Sequence, residues 1–316
     1  MRKPFLLFIC CLGCISLYGQ DLDSLLVDRD DRNYSLRIFS NFKVNKFNIT
    51  DSDSKTKFVP NNRYGLGAGF ANKKIIIDIA INIKNPNKEK TSRFDLQGTT
   101  ILKNKNYVKI FTQVYKGFNV KNDFDEPTVF RGDIRSVSVG LNYLYTFSDI
   151  EFSYSVLKAG LANKNYDNVF ITGGIGAFGS FDYFSGNPSV LSETTGPYYN
   201  TQADVKRYKG LSFGVLAGFI SFFKLSNNIS ATLNVMPGIG LVDKRVQLQD
   251  DSFKPSDPML YKLDFLVGLS YNLNRYYVSL TYNNGIYSTD LDYGNNYLLN
   301  LTKAKLAVGY KFGNRK

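Results

Sequence analysis

Apolar and polar residues alternate along the chain from Arg135 to Phe147. Every second side chain is aliphatic or aromatic, and the residues between them are mostly small or polar. The apolar positions are Val137, Val139, Leu141, Tyr143, Tyr145 and Phe147. Side chains of a β-strand point to opposite faces with a period of two residues. The stretch therefore predicts a strand with one apolar face that ends in aromatic rings and one small, polar face.

A second stretch has the same period and a still more uniform apolar face. Its alternate positions are Ile75, Ile77, Ile79 and Ile81, and Asp78 and Ala80 lie between them. Strands that cross a bilayer present such an aliphatic face to lipid, with aromatic rings at the level of the headgroups. We therefore expect the apolar residues of both stretches to face the membrane.

Thirteen segments carry a strand pattern. They are Tyr34–Thr50, Tyr64–Phe70, Ile75–Ile83, Phe94–Leu102, Tyr107–Val120, Arg135–Phe147, Glu151–Ala162, Val169–Tyr183, Leu211–Phe219, Ile229–Leu241, Tyr261–Leu273, Tyr276–Ile286 and Leu298–Phe312. Short turns, as at Asn104 and Asn274, alternate with longer loops, of which Lys121–Asp133 is an example. A barrel with both termini on one side has an even number of strands. Either one more strand lies within Ser180–Val205, or one segment does not span the wall.

The sequence thus predicts an all-β fold, a single closed antiparallel transmembrane β-barrel over residues 34–312. We expect about 12–14 strands, short periplasmic turns and longer extracellular loops. The alternative is a soluble β-sandwich, in which the same apolar stripes would pack against a second sheet.

The first 20 residues have the pattern of a cleaved secretory signal. Arg2 and Lys3 precede an apolar run, and Gly19 is a small residue at a suitable cleavage point. Acylation of Cys14 is an alternative use of this segment. We expect residues 21–33 to form a periplasmic lead-in, residues 313–316 a short tail, and the barrel to reside in the cell outer membrane.

Composition excludes several kinds of chemistry. The chain has no histidine, the commonest general base and a common metal ligand, and its cysteines all lie within the predicted signal. We therefore predict no enzymatic activity, no cofactor and no metal site. The formal net charge of +12 favours anionic partners. For an exported chain these are outer-membrane lipid, lipopolysaccharide or anionic solutes rather than nucleic acid.

Placing the apolar faces outward turns a set of charged residues toward the interior. The cations are Arg37, Lys43, Arg93, Lys109, Lys262, Lys303 and Lys305, and the anions are Asp78, Asp95 and Asp264. Basic groups inside a barrel favour anions. The residues are therefore consistent with a narrow pore with a basic lumen, or with a paired network that plugs the barrel. A structural or surface-binding barrel, whose loops contact glycan, lipopolysaccharide or a partner protein, is the alternative function.

The end of the last segment resembles the terminal signal that the barrel-insertion machinery recognises. Tyr310 and Phe312 are its aromatic positions, although Ala307 replaces the usual glycine. We expect that machinery to be a partner of the chain.

An ordered series of short motifs resembles an uncharacterised family of Bacteroidota outer-membrane barrels, domain of unknown function 4421. The motifs are Ser35-Leu36-Arg37, Pro60-Asn61, Gly65-x-Gly67, Asp95-Leu96-Gln97, Tyr115-Lys116-Gly117, Asp133-Ile134, Phe152-Ser153-Tyr154 and Gly173-Gly174. The chain departs from the family pattern at Gly132, where proline is usual, and in having no tryptophan. The resemblance implies an outer-membrane barrel and implies no activity.

Overall fold

The computed structural model describes residues 20–26, 34–71, 75–83, 89–150 and 169–312. These ranges are mostly β-strand, with two 3-10 turns, Gly196–Tyr198 and Thr201–Ala203. Across these described ranges, no helix has both the length and the apolar character needed to span a membrane. The predicted signal, apart from Gln20, and the predicted tail lie outside the described residues.

The strands follow the alternation of the sequence. They are β1 (Gln20–Leu26), β2 (Tyr34–Thr50), β3 (Lys55–Val59), β4 (Tyr64–Ala71), β5 (Ile75–Asn82), β6 (Ser92–Leu102), β7 (Asn106–Asn122), β8 (Val129–Thr146), β9 (Val169–Ser185), β10 (Arg207–Lys224), β11 (Ile229–Gln247), β12 (Ser252–Phe253), β13 (Met259–Leu273), β14 (Tyr276–Asp290) and β15 (Asn296–Phe312).

The strands form one sheet that closes on itself. From β6 to β11 each strand pairs with the next in sequence, β11 pairs with β13, and β13, β14 and β15 lead back to β2. Between β2 and β6 the order is β4, β5 and β1. All these pairs are antiparallel except β1 with β6, which is parallel. Closure leaves no free edge, so every strand of the wall has a neighbour on both sides.

The wall does not have the same number of strands at its two ends. Where the longer loops lie, β3 pairs with both β2 and β7, so β4, β5, β1 and β6 are absent from the ring there. The ring then consists of ten strands, against thirteen at the end with the short turns. Because barrel diameter grows with strand number, the barrel narrows toward the long-loop end.

The predicted closed antiparallel β-barrel is confirmed, although its ring has ten strands at the long-loop end and thirteen at the other instead of a uniform even number within 12–14. Three further points differ from the expectation among the described residues. Gln20–Leu26 is the wall strand β1, although we expected Gln20 to end the signal and residues 21–33 to form a lead-in. It lies between β5 and β6, whose edges would otherwise leave backbone groups without partners. Of the two ways to reach an even strand number, an additional strand within Ser180–Val205 is wrong, because β9 ends at Ser185 and residues 186–206 are loop and 3-10 turns. The predicted segment Glu151–Ala162 lies outside the described residues.

The third correction concerns the connections. The predicted loop Lys121–Asp133 is only residues 123–128, because β7 and β8 continue beyond the apolar part of the wall. β8 and β9, which follow each other among the described strands, pair directly. The turns at Asn104 and Asn274, both with positive φ, join adjacent strands as expected.

The outer face of the wall is apolar. Of the residues we expected to face lipid, Ile79, Ile81, Val139, Leu141, Tyr143, Tyr145 and Phe147 are exposed. Val137 is half-buried, and Ile75 and Ile77 lie in β5 with side chains that are not described. Exposed apolar residues continue around the ring, including Ile38 on β2, Phe213 on β10 and Leu280 on β14. Such a continuous apolar belt is typical of a barrel that lies in a bilayer.

We predict that a disulfide can join β2 to β15. Ser40 and Leu306 are directly opposite each other in the antiparallel register, and opposed residues have the separation that a disulfide requires. The protein used begins at Gln20 and therefore lacks the native cysteines. In it, the double variant Ser40→Cys/Leu306→Cys should form an intramolecular disulfide on mild oxidation, seen as a shift in non-reducing gel mobility.

The control for this cross-link is Ser40→Cys/Leu298→Cys, because Leu298 pairs with Asn48 instead. This control should not cross-link within the folded barrel. Equal cross-linking in both variants, or none in the first, would contradict the closure of the ring.

Candidate functional site

The charged residues that we expected inside the barrel lie at its inner face. Nine of them are buried: Arg37, Lys43, Asp78, Arg93, Asp95, Lys109, Lys262, Asp264 and Lys305. Lys303 is half-buried and has the same strand parity as Lys305. The residues next to them in sequence, such as Ile38 and Leu306, are exposed on the outer face. The interior is therefore where this protein concentrates its buried charge.

Asp78 is held between two cations at the junction of the first and last long strands. Arg37 Nη2 lies 2.5 Å from Asp78 Oδ1, and Arg37 Nε donates to the same oxygen at 2.8 Å. Lys305 Nζ donates to Asp78 Oδ2 and lies 4.3 Å from the centroid of the Phe39 ring. The cluster links β2, β5 and β15, because each strand contributes one of the three charges.

A second cluster, around Asp264, spans the interior. Asp264 on β13 accepts a hydrogen bond from Lys109 on β7 at 3.2 Å and one from Asn142 on β8 at 2.8 Å. Lys262 also donates to it, and the Lys262 ammonium lies 5.2 Å from the ring of Phe178 on β9. Because β7 and β13 are not neighbours in the ring, these contacts cross the space that the wall encloses.

Arg93 and Asp95 form a third charged group on β6. Arg93 Nε lies 3.8 Å from Asp95 Oδ2, and Tyr115 on β7 donates its hydroxyl to Asp95 Oδ1 at 2.8 Å. Arg93 also donates to the backbone carbonyl of Lys43 at 3.2 Å. The three clusters together place each of the three predicted aspartates next to at least one cation.

An aromatic cluster, which the sequence reasoning missed, fills the narrow end of the barrel. It comprises Phe47, Phe58, Phe118, Phe184, Tyr208 and Tyr297, all fully or almost fully buried. Phe47 on β2 stacks on Phe184 on β9 with ring centroids 4.8 Å apart. Phe184 in turn stacks on Tyr297 on β15 at 5.1 Å. Strands on different sides of the barrel are thus joined by direct contacts between aromatic side chains.

A sequence signal for this cluster existed. Phe47 has the same strand parity as Lys43, which we had placed inside, and Tyr208 has the parity of the small residues Gly210 and Ser212. Parity alone therefore assigns both rings to the interior. It does not show that rings from different strands are at one level, because that depends on the register of pairing.

The loop of residues 186–206, here called the cap, covers the narrow end. Its apolar side chains Val190, Leu191, Ala203 and Val205 are buried in the same apolar cluster as the six rings. Arg131 on β8 donates to the carbonyl oxygen of Ser189 at 2.7 Å and forms an ion pair with Asp133 at 2.8 Å. The cap is therefore part of the packed interior and not a free surface loop.

Polar contacts hold the cap to the opposite side of the ring. The Tyr199 hydroxyl donates to the carbonyl oxygen of Ile49 at 3.2 Å, and Asn200 Nδ2 donates to Asp51 Oδ2 at 3.0 Å. Burial raises the pKa of Tyr199 to about 12, so its hydroxyl remains protonated at neutral pH. The Tyr199 anchor of the cap is therefore kept across the physiological pH range.

The two residues of the expected insertion signal lie at the end of β15. The Tyr310 and Phe312 rings meet edge to face with centroids 4.9 Å apart, and Phe312 is exposed. In the described ranges, no three side chains of the Cys, Asp and Glu types gather as a metal site would require.

Three solved barrels illustrate what the fold is similar to. The outer membrane protease OmpT from Escherichia coli shares 10% identity at a TM-score of 0.40, covering 90% of this chain and 99% of that one. The β domain of the Bordetella autotransporter BrkA shares 10% identity at a TM-score of 0.35, covering 89% of this chain and 100% of that one. The attachment invasion locus protein Ail of Yersinia pestis shares 11% identity at a TM-score of 0.23, covering 90% of this chain and 100% of that one. Similarities this weak do not transfer an activity to this chain.

Sequence comparison gives a firmer result. No curated protein matches the chain. A family profile described as "Domain of unknown function (DUF4421)" matches residues 21–312, which include the whole described wall from Asp21 onward. The chain therefore belongs to the DUF4421 family.

Proposed function

We propose that this protein is an outer-membrane barrel that is closed to solutes and acts through its surfaces. The proposal rests on the contacts that cross the interior, in particular the Phe47–Phe184 stack and the Lys109–Asp264 ion pair. An open channel requires a continuous water-filled path, whereas small barrels are filled by their own side chains. Here the aromatic cluster and the cap fill the narrow end, and the charged pairs fill the interior next to it, toward the short-turn end.

The surface that such a barrel offers to a partner is its long-loop end. Two aromatic pairs lie there. Phe124 stacks on Tyr198 of the cap with centroids 4.0 Å apart, and Phe253 of β12 meets Tyr293 edge to face at 5.4 Å. Tyr198 and Tyr293 are exposed. Exposed tyrosines held by packing are suited to binding, because little side-chain entropy is lost on contact. Extracellular glycan, lipopolysaccharide and protein are the partner classes that we consider.

A second function is favoured by the interior charge. Seven predicted cations face three predicted aspartates there, which would make any path through the barrel prefer anions. In this alternative the cap acts as a gate, and its displacement opens a narrow pore. The two functions differ in whether removing the cap is sufficient for conduction.

The remaining parts of the proposal concern export and assembly. The segment before β1 directs secretion and is removed, and the barrel-insertion machinery recognises the strand that ends in Tyr310 and Phe312. The apolar belt then contacts outer-membrane lipid. The protein has no catalytic role in this proposal.

We predict that the wild-type protein shows no steady conductance in a planar lipid bilayer. Replacing residues 187–204 with a flexible glycine–serine linker should leave it non-conducting, because the six buried rings remain below the cap. Adding Phe47→Ala, Phe184→Ala and Tyr297→Ala to that variant should produce conductance, since it removes the stacked rings that join the walls.

Heat-dependent gel mobility provides the folding control for each conductance variant. Steady conductance in the wild type would contradict the closed barrel. Anion-preferring conductance after cap replacement alone would instead establish the gated pore.

A second prediction concerns the ion pair that crosses the interior. Asp264→Asn leaves Lys109 and Lys262 without their carboxylate in a buried site, and removal of one partner of a buried pair typically costs about 3–5 kcal/mol. We expect a loss of that order in the free energy of unfolding, measured by urea titration of the protein in lipid vesicles.

The matched control is Asp149→Asn, because Asp149 forms an exposed ion pair with Lys105 at 3.8 Å. That variant should lose less than about 1 kcal/mol. If Asp264→Asn is no more destabilising than Asp149→Asn, the interior ion pair does not hold the two sides together.

A further inference from the structure

A groove with a basic lining runs across the outer surface of β10 and β11 near the long-loop end. It encloses about 450 Å³, and its exposed cationic side chains are Arg207, Lys209, Arg245 and Lys254, whereas Lys244, also at the groove, is buried. Asp243 also lines the groove and lies 2.5 Å from Lys254. One carboxylate therefore faces four cations, which leaves an excess of positive charge on the outside of the wall.

The register brings two of these cations directly together. Lys209 on β10 is opposite Arg245 on β11 in the antiparallel pairing, and both side chains are exposed. Like charges directly opposite each other on a sheet are destabilising. An anion bound between them removes that repulsion, and a phosphate does so best because arginine and lysine donate to it with charge-assisted hydrogen bonds.

A separate apolar hollow lies on the same side of the barrel, closer to the short-turn end. It encloses about 830 Å³ on the outer face of β8–β11, and Tyr143, Ile175, Val215, Ala217 and Ile239 are among its lining residues. Small residues form part of its floor, including Gly176 and Gly238. The shape and chemistry suit a hydrocarbon chain lying along the strands.

Exposed apolar residues connect the groove to the hollow. Along β10 the outward residues after Lys209 are Leu211, Phe213 and Val215, and all three are exposed. From Lys209 to Val215 is about 20 Å at the usual rise of a strand. A cationic site and an apolar site, aligned on one strand and joined by an apolar path, match a molecule with an anionic head and a long tail.

We propose that this face of β8–β11 is a specific site for one phosphate-bearing lipid of the leaflet at the long-loop end. The phosphate lies between Lys209 and Arg245, with Arg207 and Lys254 at its sides. An acyl chain follows Leu211 and Phe213 into the apolar hollow. The site goes beyond the closed-barrel proposal, because it requires only that the outer wall contacts lipid, whether or not the interior conducts.

Charge alone does not define the site. Lys116 on β7 and Arg135 on β8 are also exposed and directly opposite each other, so the wall carries a second pair of like charges. That pair does not line the groove or the hollow. It therefore serves as a control that removes the same charge from the same kind of position without touching the proposed site.

The experiment measures lipid binding to the full barrel in detergent by native mass spectrometry. The probes are diphosphorylated lipid A and lipid A from which the phosphates have been removed. We compare the wild type, Lys209→Gln/Arg245→Gln, the control Lys116→Gln/Arg135→Gln, and Ala217→Trp, which fills the hollow and leaves the charge unchanged. Heat-dependent gel mobility shows that each variant is folded.

We expect the wild type and the control to bind the phosphorylated lipid alike. Lys209→Gln/Arg245→Gln should bind it at least about tenfold more weakly, because two charge-assisted hydrogen bonds are lost. Ala217→Trp should also weaken binding, and the dephosphorylated lipid should bind all four proteins weakly.

Equal binding of the two lipids by the wild type would overturn the phosphate site. Equal losses in the groove variant and the control would show general attraction to a basic surface and would likewise overturn it. If Ala217→Trp leaves lipid binding unchanged, an acyl chain does not occupy the hollow, and a lipid is excluded as the occupant of the site. None of these results depends on conductance, so the closed-barrel proposal is tested separately.

Discussion

The backbone hydrogen bonds of a sheet in lipid have to be made within the sheet, and the rest of this structure depends on that constraint. A strand edge that faces hydrocarbon cannot be satisfied by water, so the sheet has to close. The chain closes it by joining β2 to β15 along their whole lengths and by inserting β1 between β5 and β6. Closure then separates two environments, because each strand sends alternate side chains to lipid and to the interior.

The two environments explain the composition of each face. Outside, apolar side chains need no partner, and Ile79, Leu141 and Phe213 are simply exposed to lipid. Inside, polar and charged groups are removed from bulk water and need partners. Asp78 pairs with Arg37 and Lys305, and Asp264 pairs with Lys109 and Lys262. Aromatic side chains fill the remaining volume at the narrow end. A filled interior is the basis for proposing a barrel that acts through its surfaces.

Much of this could be predicted from the sequence because alternation with a period of two directly reports which face a residue occupies. The parity of Val139, Lys109 or Asp264 is a local property. The stacking of Phe47 on Phe184 and the role of β1 are not, because both depend on register between strands far apart in sequence. The first part of β8 was missed for a related reason: Val129 and Phe130 are adjacent apolar residues and Arg131-Gly132-Asp133 follows, so the alternation is lost while the backbone pairing with β7 continues.

The central claim is that neighbouring residues of one strand face lipid and interior in turn, and a fluorescence measurement tests it most directly. The chain after its first 20 residues has no cysteine, so single cysteines carrying a fluorophore can be placed at Ser138, Val139, Leu141 and Asn142. In vesicles with brominated lipid chains, the account predicts strong quenching at positions 139 and 141 and little at 138 and 142. Equal quenching at all four positions, or the reverse pattern, would contradict it.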